Sequence, residues 1–227
     1  MTDLFGFDLV DGLASGECTI CHALARHTRR WLDSFWREGR QDPRTRKRFY
    51  AGGGFCPRHA WLLHDLVDGS GAAIADVYGR LADQDLARVS EVLGSRRARR
   101  RTLAAGLRRI APCSACAEEL AALPRKAEFF LELIADDAAR RSYEQAAGLC
   151  YPHLLAVLEA AGDREAPARY LLEDWRHRLE ELRGRLADYD RKRDHRHAAE
   201  RRAEDQESWT DIIRHYVGPP PDEERQH

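Results

Sequence analysis

A pattern of cysteine and histidine residues occurs twice in this chain and limits how the chain can fold. Each copy has two cysteines three positions apart and, after a long gap, a third cysteine with a histidine three positions beyond it. The gap is nearly the same in both copies, so we interpret them as an internal repeat. The first copy comprises Cys18, Cys21, Cys56 and His59, and the second comprises Cys113, Cys116, Cys150 and His153.

Three thiols and one imidazole per copy form the donor set of a closed tetrahedral metal site. Two ligands separated by two residues lie on one face of a helical turn, which lets both side chains reach the same ion. Three thiolates and one imidazole fill the coordination shell of zinc and leave no position for a catalytic water. We therefore predict two structural zinc ions, one per repeat, and expect a protein that is not an enzyme.

The sequence leaves open two ways of distributing these eight ligands. In a local arrangement, each site takes all four ligands from one repeat. In an exchanged arrangement, the two cysteines that open one repeat join the cysteine and histidine that close the other. Closing a shorter loop costs less chain entropy, although the length dependence is only logarithmic. We therefore expect the local arrangement.

Other uses of the thiols remain open. The cysteines also fit a redox-active dithiol or an iron–sulfur cluster, and isolated cysteines are often small buried hydrophobic residues. Cys18, Cys21 and His22 match the C-x-x-C-H string that attaches c-type haem. Covalent haem attachment normally needs export, the N-terminus shows no secretion signal, and Ala117 replaces the histidine in the second copy. The pattern therefore favours zinc over haem.

Apolar residues spaced three and four positions apart predict an all-α protein made of duplicated helical units, with a long charged helix near its C-terminus. Phe35 and Phe130, and likewise Phe49 and Tyr143, occupy corresponding positions of the two repeats and are expected in the cores. The predicted helices span 19–38, 43–51, 57–68, 72–93, 113–122, 125–135, 137–146, 152–161 and 166–206.

The same pattern divides the chain into consecutive segments. We assign a first metal-binding repeat to 1–94, a basic joint to 95–111, and a second repeat with its extended helix to 112–206. A short amphipathic segment and a tail occupy 207–227. Each repeat is expected to be a separate unit closed by its own metal site.

Charge and hydropathy restrict the partners and the location. A net charge of −1 argues against a surface adapted as a whole to polyanions. The joint nevertheless holds arginines that could contact nucleic-acid phosphates, although no base-reading motif accompanies them. No segment reaches the roughly 20 apolar residues of a membrane span, so we expect a cytoplasmic protein without membrane contact. The candidate phosphate-binding residues are Arg96, Arg97, Arg99, Arg100 and Arg101.

The two cysteine and histidine units, taken with a motif near the C-terminus, resemble an uncharacterised bacterial family, the domain of unknown function 6062. The resemblance covers most of the chain and implies that the eight cysteine and histidine residues belong together as motif positions. It implies no particular activity. The C-terminal motif comprises Glu207, Ser208, Trp209, Ile212, Ile213, Val217 and Gly218.

These observations lead to one main functional hypothesis and two alternatives. The main hypothesis is a zinc-stabilised helical adaptor or regulatory binding protein whose partner is another protein. The first alternative is a thiol-based redox, iron–sulfur or haem protein. The second is a nucleic-acid-binding regulator that uses the arginines of segment 96–109.

Overall fold

The computed structural model describes residues 4–67, 71–94, 108, 111–200 and 208–220. These ranges contain ten α-helices, two short helical segments of other types and no strand, which confirms the all-α prediction for this part of the chain. No helix within them has the length and apolar character needed to cross a membrane. The α-helices are α1 (Leu4–Leu13), α2 (Thr19–Ser34), α3 (Pro43–Ala51), α4 (Pro57–Leu66), α5 (Gly71–Gly94), α6 (Ser114–Leu133), α7 (Asp137–Gln145), α8 (Tyr151–Ala161), α9 (Glu165–Arg193) and α10 (Ser208–Val217). A π-helical turn, Phe35–Gly39, follows α2, and a 3-10 helix, His195–Glu200, follows α9.

The first compact unit, unit 1, combines Met1–Arg26 with Ala122–His227. Its core joins apolar side chains of α1 and the start of α2 to those of α6, α7, α8 and α9. Cys18 and Cys150 are buried in this core. The core includes Leu9, Leu13, Ile20, Ala23, Phe130, Ile134, Tyr143, Leu149, Leu154, Val157 and Leu171.

The second compact unit, unit 2, spans His27–Ala121. Three phenylalanines form its centre. The ring of Phe55 meets those of Phe35 and Phe49 edge to face, with centroids 4.9 Å away in both cases. Burial of Phe35 and Phe49 here, and of Phe130 and Tyr143 in unit 1, confirms the core positions predicted from the sequence. The core also includes Leu32, Leu62, Leu63, Val67, Val77 and Ala115.

These units do not coincide with the consecutive segments 1–94 and 112–206 expected from the sequence. Unit 1 is discontinuous, since the first 26 residues pack with the C-terminal half of the chain. Leu9 and Ile20, both fully buried there, illustrate the reason. Burying one such side chain contributes about 1.5–3 kcal/mol. Burial therefore decides which segments pack together, even when they are far apart in sequence.

The observed helices differ from the predicted ones in three main ways. Helix α1 was not predicted because Asp8 interrupts its apolar pattern. That carboxylate is buried and meets Lys126 at 3.5 Å and Arg26 at 3.1 Å, neither of which is near it in sequence.

Helix α6 continues through Pro124, where a break was expected. Packing of the buried Ala122 and Ala127 on either side of the proline outweighs the lost hydrogen bond.

The predicted helix 166–206 is interrupted at Asp194. Its side chain accepts a hydrogen bond from the Arg196 backbone N–H at 2.9 Å, a local bond that competes with continuation of α9. The short amphipathic helix predicted after it is present as α10. Most of the basic joint, segment 201–207 and the tail from 221 lie outside the described residues.

Candidate metal centres

The structure brings the eight predicted ligands together in two groups. In each group, the four ligand atoms lie within 4.8 Å of one another, and each group belongs to one unit. Both groups combine ligands from the two halves of the chain, so the arrangement is exchanged and the expected local arrangement is wrong. Site 1 consists of Cys18, Cys21, Cys150 and His153, and site 2 consists of Cys56, His59, Cys113 and Cys116.

Loop entropy failed as a guide because the differences it creates are small. Each doubling of loop length costs about 0.6 kcal/mol. Pairing Cys150 with Cys21 rather than Cys116 lengthens the closed loop by about two doublings, or about 1.2 kcal/mol. One buried leucine or isoleucine offsets that cost. The ligands therefore follow the helices that carry them, and the helices pack according to their apolar faces.

Each site is built where two helices begin. In site 1, Cys18 stands just before α2, its carbonyl accepting from the His22 N–H at 3.0 Å, and Cys150 caps α8. In site 2, Cys113 stands just before α6 and Cys56 caps α4. The first-turn amides and the positive ends of the helix dipoles favour thiolates at these positions. Each site therefore lies where two helix N-termini converge.

A glycine shapes the backbone ahead of each third cysteine. Gly54 and Gly148 have φ angles of +87° and +79°, a region that side chains rarely adopt. At Gly148 a Cβ atom would lie 2.8 Å from Nε of Arg178. After these turns, Cys56 and Cys150 have nearly identical extended conformations, with φ and ψ of −66° and 164° and of −72° and 159°. Both helices then start in the same way relative to their site.

The distances between ligand atoms fit a tetrahedral zinc shell. Four ligands around one ion, with sulfur at about 2.3 Å, place two sulfurs about 3.7–3.8 Å apart. The Sγ atoms of Cys21 and Cys150 are 3.7 Å apart, as are those of Cys56 and Cys116. In site 1, His153 Nδ1 lies 3.2–3.4 Å from its three sulfurs. In site 2, His59 Nδ1 lies 3.3–3.6 Å from its own three.

The thiols within each site shift one another's pKa values. In site 1, hydrogen bonds from Cys18 and Cys21 lower the pKa of the Cys150 thiol to about 4. The hydrogen bond to Cys150, then that to Cys18, raises the pKa of Cys21 far above its usual range. In site 2, burial raises the pKa of Cys113, but hydrogen bonds from His59 and from the backbone amides of Cys116, Cys56 and Ala115 together bring it to about 6.

The remaining thiol of site 2 shows the opposite shift. Burial, followed by the charge of Cys113, raises the pKa of Cys116 to about 12. Each site thus favours the deprotonation of one thiol and opposes the deprotonation of a second one. The second deprotonation needs a positive charge to offset the added negative charge. A divalent cation supplies that compensation, because metal binding displaces the thiol protons.

A carboxylate supports the histidine of site 2. Glu119 Oε1 lies 3.3 Å from Nε2 of His59, accepts a hydrogen bond from Thr28 Oγ1 at 2.8 Å and contacts Arg58. Burial raises the pKa of Glu119, but its hydrogen bonds to His59 and Thr28, together with the charges of Arg58 and His59, lower it overall. A carboxylate on the second nitrogen of a ligand histidine fixes the ring and makes it a stronger donor.

Site 1 is covered by the residue that ends α10. Gly218 has a φ of +85°, and a Cβ atom there would lie 2.9 Å from Cys21 Sγ and 3.7 Å from Cys150 Sγ. The backbone of Gly218 therefore lies directly against two sulfurs of site 1. Site 2 differs, since its Cys116 is exposed to solvent.

Sequence reasoning missed Glu119 and Gly218 as parts of the sites. Glu119 lies one helical turn after Cys116, a spacing that could have drawn attention to it, but only the packing of α4 against α6 brings it to His59. His22, the histidine of the C-x-x-C-H string, meets Glu17 at 3.4 Å. The candidate phosphate-binding arginines Arg96, Arg97, Arg99, Arg100 and Arg101 lie outside the described residues.

Comparison with models of known protein families, with characterised proteins and with solved structures gives no match to this chain.

Proposed function

We propose that this chain is a non-enzymatic helical protein, stabilised by two zinc ions, that acts as an adaptor or regulatory binding protein for another protein. The observation that carries the proposal is the complete set of three thiols and one imidazole in each unit, at distances that fit one tetrahedral ion. Such a set fills the zinc shell with protein atoms. The metal then acts as a cross-link and not as a reaction centre.

The donor chemistry favours zinc over the other candidates. Sets rich in thiolate with one imidazole select zinc among the common metals, and both histidines offer the same nitrogen, Nδ1. The thiols of Cys18 and Cys21, which c-type haem would need, both belong to the donor set of site 1. All six cysteines are free thiols, which agrees with a reducing compartment such as the cytoplasm.

The binding role rests on the surface of α9. Along this helix, Arg169 pairs with Glu173 and Arg176 pairs with Glu180, all with highly exposed side chains. Exposed pairs of this kind contribute little to stability. Leu171 anchors α9 in the core of unit 1, whereas the charged face of the helix contributes little to stability and offers a surface for contact with a partner protein.

Metal analysis tests this proposal. Protein purified under anaerobic, reducing conditions should contain about two zinc ions per chain and show no visible absorption. Cobalt substitution should then give the intense bands of a tetrahedral thiolate site. Iron, haem bands or no metal at all in such a preparation would overturn the proposal. Affinity capture with wild type and with the Cys18→Ser, Cys56→Ser double variant then shows whether partner binding needs the metal-stabilised fold.

A second candidate, a thiol redox sensor, is supported by the exposure of Cys116. Hydrogen peroxide would oxidise the thiolates of Cys56 and Cys116, 3.7 Å apart, to a disulfide, while the peroxide is reduced to water and the zinc ion is released. Zinc release from site 2 at low peroxide, reversed by thiol reductant, would favour the sensor. Release only on general unfolding would favour the adaptor.

A further inference from the structure

Helix α5 carries a row of small and apolar side chains that is exposed along its whole length. We name this row the α5 seam. A Cβ atom built on Gly79 meets no atom within 4 Å, and Leu86 and Leu93 are 65% and 76% exposed. A different face of the helix, with Val77 and Leu81, is buried. The seam consists of Ala75, Gly79, Ala82, Leu86, Val89 and Leu93, all exposed.

The spacing of the seam is that of a coiled coil. Its residues follow one another at intervals of four, three, four, three and four positions. This alternation keeps one row of side chains facing a partner helix over several turns. A face that serves only to meet water would carry polar side chains. The seam therefore has the pattern of a helix-pairing surface.

We propose that α5 pairs with α5 of a second copy of this chain as an antiparallel two-helix coiled coil. The side chains of the seam are small in its first half and large in its second half. An antiparallel pair needs this gradient of side-chain size. With the two-fold axis at the level of Gln84, Ala82 faces the partner's Leu86 and Gly79 faces the partner's Val89. Ala75 then faces the partner's Leu93. Every layer contains one small and one large side chain.

Other arrangements use the same residues less well. A parallel pair would place Gly79 opposite Gly79 and Leu93 opposite Leu93, so the helices would be too far apart at one end or too close at the other. Interfaces pack at nearly crystalline density, and such mismatches cost stability. An unrelated helix would need the reverse gradient at the same spacing. A second copy supplies that gradient by symmetry.

Area and charge set the strength of the pair. The seam extends over about 27 Å, at about 1.5 Å per residue. One pair of helices of this length buries less than the roughly 1,200 Å² typical of stable interfaces, so the dimer should be weak and reversible. Asp83, an exposed residue beside the seam, flanks the two-fold axis and faces its counterpart in the partner, whereas Asp85 pairs with Arg88 of its own helix at 3.7 Å. Salt should therefore strengthen the dimer by screening this repulsion.

Sedimentation velocity on the zinc-loaded full chain, over a range of concentrations and at low and high salt, tests the proposal. We expect a monomer–dimer equilibrium that shifts toward the dimer at high salt. Ala82→Leu should crowd the layer that it shares with the partner's Leu86, and Leu86→Ala should leave a void there. Each should raise the dimer dissociation constant about tenfold or more, because the layer occurs twice.

The double variant Ala82→Leu, Leu86→Ala is the decisive measurement. In the antiparallel pair it restores one large and one small residue per layer, so dimerisation should recover toward wild type. Leu172→Ala, at a half-exposed position of α9, is the control and should change nothing. A chain that stays monomeric at all concentrations would overturn the proposal. So would stronger dimerisation by Ala82→Leu alone, which a parallel pair predicts.

Discussion

Cys21 and Cys150 are 129 positions apart in sequence, yet their Sγ atoms lie 3.7 Å from each other in site 1. A metal ion bound there would join the start of the chain to its C-terminal half. Site 2 joins Cys56 to Cys116, which are 60 positions apart. The two sites therefore close long loops, and each holds together a unit that is not a simple repeat.

The exchanged ligand sets predict which substitutions act together. Cys56→Ser and Cys113→Ser should each reduce the zinc content from two ions to one, and the double variant should still keep one, because both residues belong to site 2. A local arrangement would predict loss of both ions in the double variant. Elemental analysis of the three purified variants decides between these outcomes.

The same variants should lose stability in unit 2. Metal binding is coupled to local folding, so Cys56→Ser should increase amide hydrogen exchange within His27–Ala121 and leave Met1–Arg26 and Ala122–His227 protected. Cys18→Ser is the matched variant for site 1 and should give the opposite pattern. Equal loss of protection in both units would show that they unfold as one cooperative body.

Glu119→Gln should weaken metal binding at site 2. The amide cannot offer His59 the negative charge that orients and polarises the ring, and loss of such a partner typically costs about 10–100-fold in affinity. Glu118→Gln is the control, because Glu118 pairs with Arg48. Competition with a chromophoric chelator, monitored on a variant in which site 1 is removed, measures the change. Equal effects of the two substitutions would contradict the role given to Glu119.

Gly218→Ala should disturb the cover of site 1. The new Cβ atom would lie 2.9 Å from Cys21 Sγ, on a residue whose φ of +85° costs a non-glycine residue about 1–2 kcal/mol. We expect faster zinc release to a chelator and a lower melting temperature. Gly184→Ala in α9 is the control, because a Cβ atom there meets open space. This substitution should leave the stability of the protein unchanged or increase it. Similar release rates for both variants would contradict the close contact.

Docking of α10 should weaken in mild acid through His215. This buried ring stacks on Trp175 with centroids 5.0 Å apart, and burial, then the charge of Arg178, lowers its pKa below the usual value of about 6.5. The undocked state therefore binds the proton more readily. The contribution of His215 to the docking of α10 is complete above about pH 6.5 and is lost as the pH falls below that value.

Hydrogen exchange of the α10 amides, corrected for intrinsic rates, measures this effect. In wild type, exchange of these amides should accelerate between neutral pH and pH 5.5. In His215→Gln this extra acceleration should be absent, because glutamine does not titrate. An identical pH dependence in both proteins would assign the effect to another group.

The helical class and the eight candidate ligands could be predicted from the sequence alone. These features depend on spacing within a few residues, where the geometry of a helical turn limits what the chain can do. The core positions of Phe49 and Tyr143 follow from their corresponding places in the two repeats. The sequence also marked the α10 helix by its apolar spacing.

The grouping of the ligands, by contrast, depends on tertiary packing. Over both loops, loop entropy separates the two groupings by about 1.6 kcal/mol, a difference comparable with the burial of one apolar side chain. The charged partners of Asp8 and the contact between Glu119 and His59 likewise join residues from distant parts of the chain. Such contacts depend on which apolar faces pack together, and that choice is made by the sum of many burial energies over the whole chain.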